Sequence, residues 1–225
     1  MPDMKELLEK LSACVEFGKI DIKSPYPPSM KDQVGAFELT KSALEEGVSP
    51  EEILEEALIP AMSRVGQKFS RNEIFVPQML MAAKAMSSSM IHLKPYYASG
   101  QTKRRGTFII GTVTGDLHDI GKNLVAMMIE GAGWEIIDLG VDVSVDKFIQ
   151  AAEKHPGSVI GLSALLTTTM ENMRKTVAAL REKYPAQKIL VGGAPVTAEF
   201  CTKIGADFYS PDPQGAVEYL KRISQ

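Results

Sequence analysis

The sequence predicts an α/β protein in two parts: a four-helix bundle over residues 1–98, a linker over 99–105, and a (βα)5 parallel-sheet domain over 106–225. Two observations predict it, and a third bounds its use. The first ninety residues hold four runs of apolar residues at helical spacing, separated by short loops. From Thr107 the texture changes, and short β-branched runs alternate with helical ones. No glycine-rich phosphate loop is present, so the α/β half is not a nucleotide-binding domain by motif.

In the bundle, residues 4–19 place Leu7, Leu8, Leu11 and Val15 on one helical face. The segment 22–29 holds Pro25, Pro27 and Pro28 and is read as a loop. Periodicity returns over 30–46 with Val34, Phe37 and Leu44, and stops at Gly47. Ser49-Pro50-Glu51-Glu52 has the form of a capping box with proline in the first turn. The helix it opens carries Ile53, Leu54, Leu58 and Met62, and Pro60 is expected to kink it. A fourth helix starts near Phe75 and runs to about Leu93. The stretch 94–105, with Pro95, Gly100 and three basic residues, reads as a connection.

In the second half, strands are expected at 107–113, 135–139, 158–162, 188–191 and 207–209. Helices are expected at 120–132, 145–155, 169–183, 196–203 and 213–223. A parallel sheet of this kind is expected in the flavodoxin-like (Rossmann-type) order 2-1-3-4-5, with ligands beyond the carboxyl ends of the strands near the switch point.

Composition excludes several classes. A net charge of −3 gives no support to a nucleic-acid or anionic-membrane role. No apolar run reaches membrane-spanning length and the N-terminus lacks a signal-peptide pattern, so a cytoplasmic protein is expected. Cys14 and Cys201 are expected to be reduced and incidental. His92 and His155 are read as structural, His155 at a helix end where a cation suits the dipole.

The stretch with chemical content is Gly115-Asp116-Leu117-His118-Asp119-Ile120-Gly121, at the end of the first strand of the sheet. Five residues separate Gly115 from Gly121, and Lys122 is followed by Asn123, so it is neither a Walker loop nor a dinucleotide fingerprint. A histidine there suggests a metal ligand or a proton carrier. Asp116 could take the proton on its other ring nitrogen, which sets the tautomer and raises basicity. Two further strand ends are unusually small: Ser163-Ala164-Leu165-Leu166-Thr167-Thr168-Thr169 and Gly192-Gly193-Ala194.

The Asp116-x-His118-x-x-Gly121 pattern closely resembles the signature of cobalamin-binding proteins, in which the histidine replaces the cofactor's own base as lower cobalt ligand. Met62-x-x-Val65-Gly66-x-x-Phe69 followed by Ile74-Phe75-Val76-Pro77-Gln78-Met79 resembles the cap domain of corrinoid methyltransferases, including cobalamin-dependent methionine synthase. The resemblance covers about residues 30–225. It departs at the proline-rich 22–29 segment, which is longer than the family's connection.

The resemblance implies a B12-binding domain at 106–225 with cobalamin or a related corrinoid as cofactor, and His118 on cobalt. It implies a His118–Asp116–Thr169 relay, and a displaced nucleotide tail among Ser163, Gly192 and Gly193. Leu165, Thr167 and Ala194 are expected to line the same site, and Phe69, Val76 and Met79 to cover the upper corrin face. The implied role is that of a methyl carrier, inactive without partner enzymes. A substrate-specific methyltransferase would load it from methanol, a methylamine, betaine or a methoxy-aromatic compound. A second would unload it to tetrahydrofolate or a thiol coenzyme, and a reductive activation protein would maintain it. The alternatives are a B12-dependent sensor or regulator, for which no DNA-binding segment is evident, and the B12 subunit of a carbon-skeleton mutase, against which the cap motif argues.

Overall fold

The computed structural model describes residues 4–98 and 104–224. Residues 99–103 of the expected linker lie outside the described residues. The chain divides into two compact units, one of helices up to Arg104 and one of strands and helices from Arg105, the turn Gly131–Gly133 aside.

The first unit holds α1 (Met4–Phe17), α2 (Ala36–Glu45), a short turn α3 (Pro50–Glu52) leading through a π-helical stretch (Ile53–Leu58) into α4 (Ile59–Ser70), and α5 (Val76–Ala98). The buried face of α1 is Leu7, Leu8, Leu11 and Val15, joined by Ser12 and Cys14. Ser49 Oγ accepts from Glu52 N–H at 3.2 Å, and Glu52 Oε2 accepts from Ser49 N–H at 3.0 Å, so the expected capping box is complete.

Three features of this unit differ most from the sequence reading. First, α2 starts at Ala36 rather than near Met30, and Val34 is exposed. Glu38 decides this: its carboxylate accepts from Gly35 N–H at 2.9 Å and Ile22 N–H at 3.2 Å, closing the helix start at Gly35. Second, Pro60 is preceded by six residues of π-helix, in which Ile59 N–H reaches Leu54 O, five residues back. A proline lacks the N–H and crowds the carbonyl four residues earlier, and the wider turn accommodates both. The Ala57 carbonyl in this stretch also accepts from Ser12 Oγ at 3.0 Å. Third, α5 continues through Pro95 to Ala98, past the expected stop at Leu93.

The second unit is a five-stranded parallel sheet in the order β2-β1-β3-β4-β5, as expected. Its strands are β1 (Thr107–Thr112), β2 (Glu135–Asp138), β3 (Val159–Ser163), β4 (Lys188–Gly192) and β5 (Phe208–Tyr209). Between them lie α6 (Ile120–Gly131), α7 (Val145–Lys154), a 3-10 turn (Thr167–Thr169) running into α8 (Met170–Lys183), α9 (Ala198–Ile204) and, last, α10 (Pro213–Ile223). Every residue of β1 after Thr107 is buried, as a central strand covered on both faces requires. One core cluster joins Ile109, Ile160, Ile189 and Val191 of the sheet to Phe148, Met173, Val177 and Leu180 of the helices. Gly111 belongs to this packing, since a Cβ there would stand 2.8 Å from the Phe148 ring.

The register aligns Thr112 with Ser163 and Ser163 with Gly192. The three middle strands therefore end level, at the switch point between β1 and β3. His155 caps the end of α7, and both cysteines are free and buried. Among the described residues no helix is long and apolar enough to cross a membrane.

Candidate functional site

The site is built on the loop leaving β1. Asp116 is fully buried and His118 half-exposed, with 50% of its side chain in solvent. Asp116 Oδ1 accepts from the His118 backbone N–H at 3.1 Å and stands 2.8 Å from His118 Nδ1. The two-residue spacing matters here. It forms an Asx-type turn that brings the backbone and the ring of His118 to one oxygen.

The other oxygen, Oδ2, accepts from Leu165 N–H at 2.7 Å, Leu166 N–H at 3.2 Å and Thr169 Oγ1 at 2.7 Å. Burial alone would raise this acid's pKa. The Thr169 hydroxyl, the Leu165 N–H and the two His118 donors outweigh it and hold the carboxyl far below the usual carboxylate range. Asp116 is thus an anion with acceptors only, so the proton of a neutral His118 sits on Nδ1. Nε2 keeps its lone pair for a metal.

The loop is fixed from several directions. The Thr112 hydroxyl donates to His118 O at 2.9 Å, and Thr114 Oγ1 to Val143 O at 2.9 Å. Asp142 Oδ1 accepts from Gly115 N–H at 2.7 Å, while Asp142 N–H donates to Asp116 O at 3.0 Å. Asn172 Nδ2 reaches Thr114 O at 2.8 Å. Thr112, Asp142 and Asn172 were not singled out in the sequence. Asp142 and Asn172 lie 27 and 58 residues from the loop atoms they hold, a separation no local pattern reports.

The other candidates fall as follows. Leu117, Asp119, Ile120 and Gly121 are exposed around His118, and Leu165 and Thr167 are exposed beside Asp116's donors. Ser163 and Gly192 are half-buried at adjacent strand ends, followed by exposed Gly193 and Ala194. Gly193 has φ +123°, and a Cβ there would meet Ala164 O at 1.8 Å, so the backbone itself demands glycine. Gly192 is different, because a Cβ there would meet nothing nearer than Ser210 O at 3.6 Å. Phe69, Val76 and Met79 belong to the helical unit; the first two are half-buried and Met79 is buried.

Does this donor set suit a corrinoid? Among the described residues no group of three or more His, Cys, Asp or Glu could hold an ion. A lone imidazole suits a metal that arrives with its equatorial ligands in a macrocycle. The rim suits an apolar ring as well: Leu117 is 71% exposed and Ile120 70%, and Val141, Leu165 and Leu166 are exposed at the same end of the sheet. Gly121 has an ordinary helical backbone and its Cβ would meet nothing within 4 Å. Neither turn nor packing calls for glycine there, whereas a closely approaching ligand would.

A model of the B12 binding domain matches residues 106–217, and a second model with that description matches 32–94. A dimethylamine corrinoid protein of Methanosarcina acetivorans is 37% identical over 99% of this chain and 98% of its own length. The chain belongs to the corrinoid proteins of methyltransferase systems. It is also similar to a trimethylamine corrinoid protein of Methanosarcina barkeri, 40% identical over 83% of this chain and 88% of the relative. Among solved structures, the methanol:cobalamin methyltransferase complex of Methanosarcina barkeri matches with a TM-score of 0.81 at 27% identity. That match covers 97% of this chain and 80% of the other. The cofactor of this corrinoid protein is accordingly cobalamin or a related corrinoid, and its role is that of a methyl carrier.

Proposed function

We propose that this corrinoid protein carries methyl groups from a methylated amine, with His118 as the lower ligand of cobalt. One observation carries the site: the Nδ1 of His118 is tied to a buried carboxylate whose second oxygen is already saturated by Thr169 and two backbone N–H groups. When bound, the corrinoid supplies a cobalt that can accept and release a methyl group. The chain's own residues set the ligation. Asp116 fixes the tautomer and raises the donor strength of Nε2. Were Nε2 to carry a proton in place of the metal, the buried Asp116 carboxylate 2.8 Å from Nδ1 would stabilise that imidazolium. Thr169 has one hydroxyl proton between Asp116 Oδ2 at 2.7 Å and Leu166 O at 2.9 Å, and so can strengthen or weaken its hold on Asp116 as that charge is needed.

Gly192 leaves room beside Ser163 for the cofactor's displaced tail. From the resemblance, Phe69, Val76 and Met79 are read as the cover of the upper corrin face. The amine reading is supported by the dimethylamine and trimethylamine corrinoid proteins among its relatives. The complex named for methanol supports a methyltransferase as partner in general. A second methyltransferase, passing the group to tetrahydrofolate or a thiol coenzyme, and a reductive activation protein complete the scheme.

The test is substrate methylation. The protein is reconstituted with hydroxocobalamin, reduced to Co(I), and mixed with the methyltransferase that co-purifies with it from its host. Mono-, di- and trimethylamine and methanol are then supplied in turn, with visible absorption as the readout. At least one amine is expected to convert the spectrum and methanol is not. Conversion by methanol alone would overturn the amine reading.

A further inference from the structure

Lys122 is buried where a helix packed on a sheet should present an apolar side chain. It is 3% exposed, and its ammonium reaches Asp138 Oδ2 at the end of β2 (2.5 Å) and Asn123 Oδ1 (2.7 Å). Burying a cation carries a large desolvation cost. Asp138, 40% exposed, is a weak repayment, and an apolar side chain would stabilise this face as well or better. Stability therefore does not explain the lysine, but position does.

The contacts form a closed circuit around the ligand. Asn123 Nδ2 donates to Asp119 Oδ2 at 3.1 Å, next to His118 in the chain. On the other side, Asp138 Oδ1 accepts from Gly140 N–H at 2.8 Å, and Gly140 O accepts from Thr112 N–H at 3.0 Å. Thr112 Oγ1 closes the circuit on the His118 carbonyl at 2.9 Å. Asp116 holds the ring and the backbone N–H of His118, and this circuit ties the rest of the 118–123 backbone to the sheet.

We propose that Lys122 is a positioning residue for the axial ligand, pinning the first turn of α6 to the end of β2 so that His118 Nε2 stands at a fixed height. The inference rests on the reading of His118 as lower ligand. With the pin removed, the first turn of α6 gains freedom, and the imidazole, though still oriented by Asp116, spends less time at bonding distance.

The test uses Lys122→Met, which keeps the stem and removes the charge, and Asp138→Ala, which removes the partner from a half-exposed site. Each full-length protein is labelled with 15N-histidine, loaded with hydroxocobalamin, reduced to Co(II) and examined by electron paramagnetic resonance. Both variants are expected to show about tenfold less histidine-ligated relative to unligated cobalt, the lower end of outer-shell effects. In the cofactor-free proteins, amide hydrogen exchange over residues 117–123 is expected to accelerate by about the same factor. Wild-type ligation and wild-type exchange in the variants, even with a lower unfolding midpoint, would overturn the proposal alone. Absence of histidine nitrogen on cobalt in wild type would overturn it together with the ligand reading. If Lys122→Met does not fold, Asp138→Ala decides by the same readouts.

Discussion

His118 Nδ1 stands 2.8 Å from Asp116 Oδ1, and the backbone N–H of the same histidine donates to that same oxygen at 3.1 Å. One carboxylate oxygen thus holds both ring and main chain of the residue. The other oxygen is anchored to a different strand end, through Leu165, Leu166 and Thr169. On the proposed reading of His118 as the cobalt ligand, these anchors fix the orientation of its ring, which is the condition for strong and reproducible ligation.

The first expectation concerns His118 itself. In the Co(II) state, replacing 14N by 15N in histidine should alter the hyperfine splitting of the paramagnetic resonance spectrum. Unchanged splitting means the cofactor's own base or water is the ligand. His118→Ala should lose that signature yet retain some cofactor, because the proposed tail site beside Ser163 and Gly192 would supply separate contacts.

Asp116→Asn keeps the shape of the side chain and removes its charge. We expect weaker ligation by His118, a Co(II)/Co(I) potential shifted upward, and methyl transfer slowed by roughly 10–100-fold with cofactor still bound. Thr169→Val removes one hydrogen bond and should shift the potential the same way by less. Unshifted potentials in both variants, by spectroelectrochemical titration, would leave Asp116 with only a structural role.

Gly192 and Gly193 should separate ligand space from backbone demand. Gly193→Ala forces a Cβ onto Ala164 O in a backbone region side chains rarely adopt, and should destabilise the apo-protein by at least about 1–3 kcal/mol. Gly192→Ala meets no close atom, so apo stability should change by no more than about 0.5 kcal/mol. Its cobalamin affinity, measured by equilibrium dialysis, should nevertheless fall. Undiminished affinity would place the tail elsewhere.

The cover read from the resemblance is tested by light. Phe69→Ala should speed photolysis of methylcobalamin on the protein, because a thinner cage lets the methyl radical escape. Identical photolysis in variant and wild type would remove Phe69 from the upper face.

Asp207 gives a pH dependence with a defined sign. Burial opposes its ionisation, but the Ile189 N–H, Arg181 and Lys188 outweigh that and depress its pKa. A depressed acid contributes stability in full above its unfolded value of about 3.9, and loses it as pH falls through the folded value. Asp207→Asn should cost about 1–3 kcal/mol near pH 7. The gap from wild type should close below about pH 4. The single tryptophan, Trp134, is buried in the α/β unit, so its fluorescence in urea follows the relevant unfolding. A gap independent of pH would show that the carboxylate's charge is not what stabilises.

What the sequence determined by itself is whatever depends on neighbours along the chain. The capping box at Ser49 and Glu52, the buried stripe of α1, the alternation of strands and helices, and the Asp116–His118 pair all act within a few residues. Periodicity and local hydrogen bonding are legible at that range. The sheet order followed from the (βα)5 pattern, because right-handed crossovers leave few other topologies.

Tertiary structure alone decided the rest. The start of α2 depends on Glu38 reaching back to Ile22, and the side-chain donor to Ala57 O in the π-helical stretch comes from Ser12 of another helix. The saturation of Asp116 Oδ2 comes from backbone N–H groups about fifty residues away, which any side chain at those positions could supply. Lys122 shows the limit most plainly. In sequence it is one more lysine near the start of an expected helix, and only the fold buries it against Asp138, because a cation's environment is set by what packs over it and not by the residues beside it.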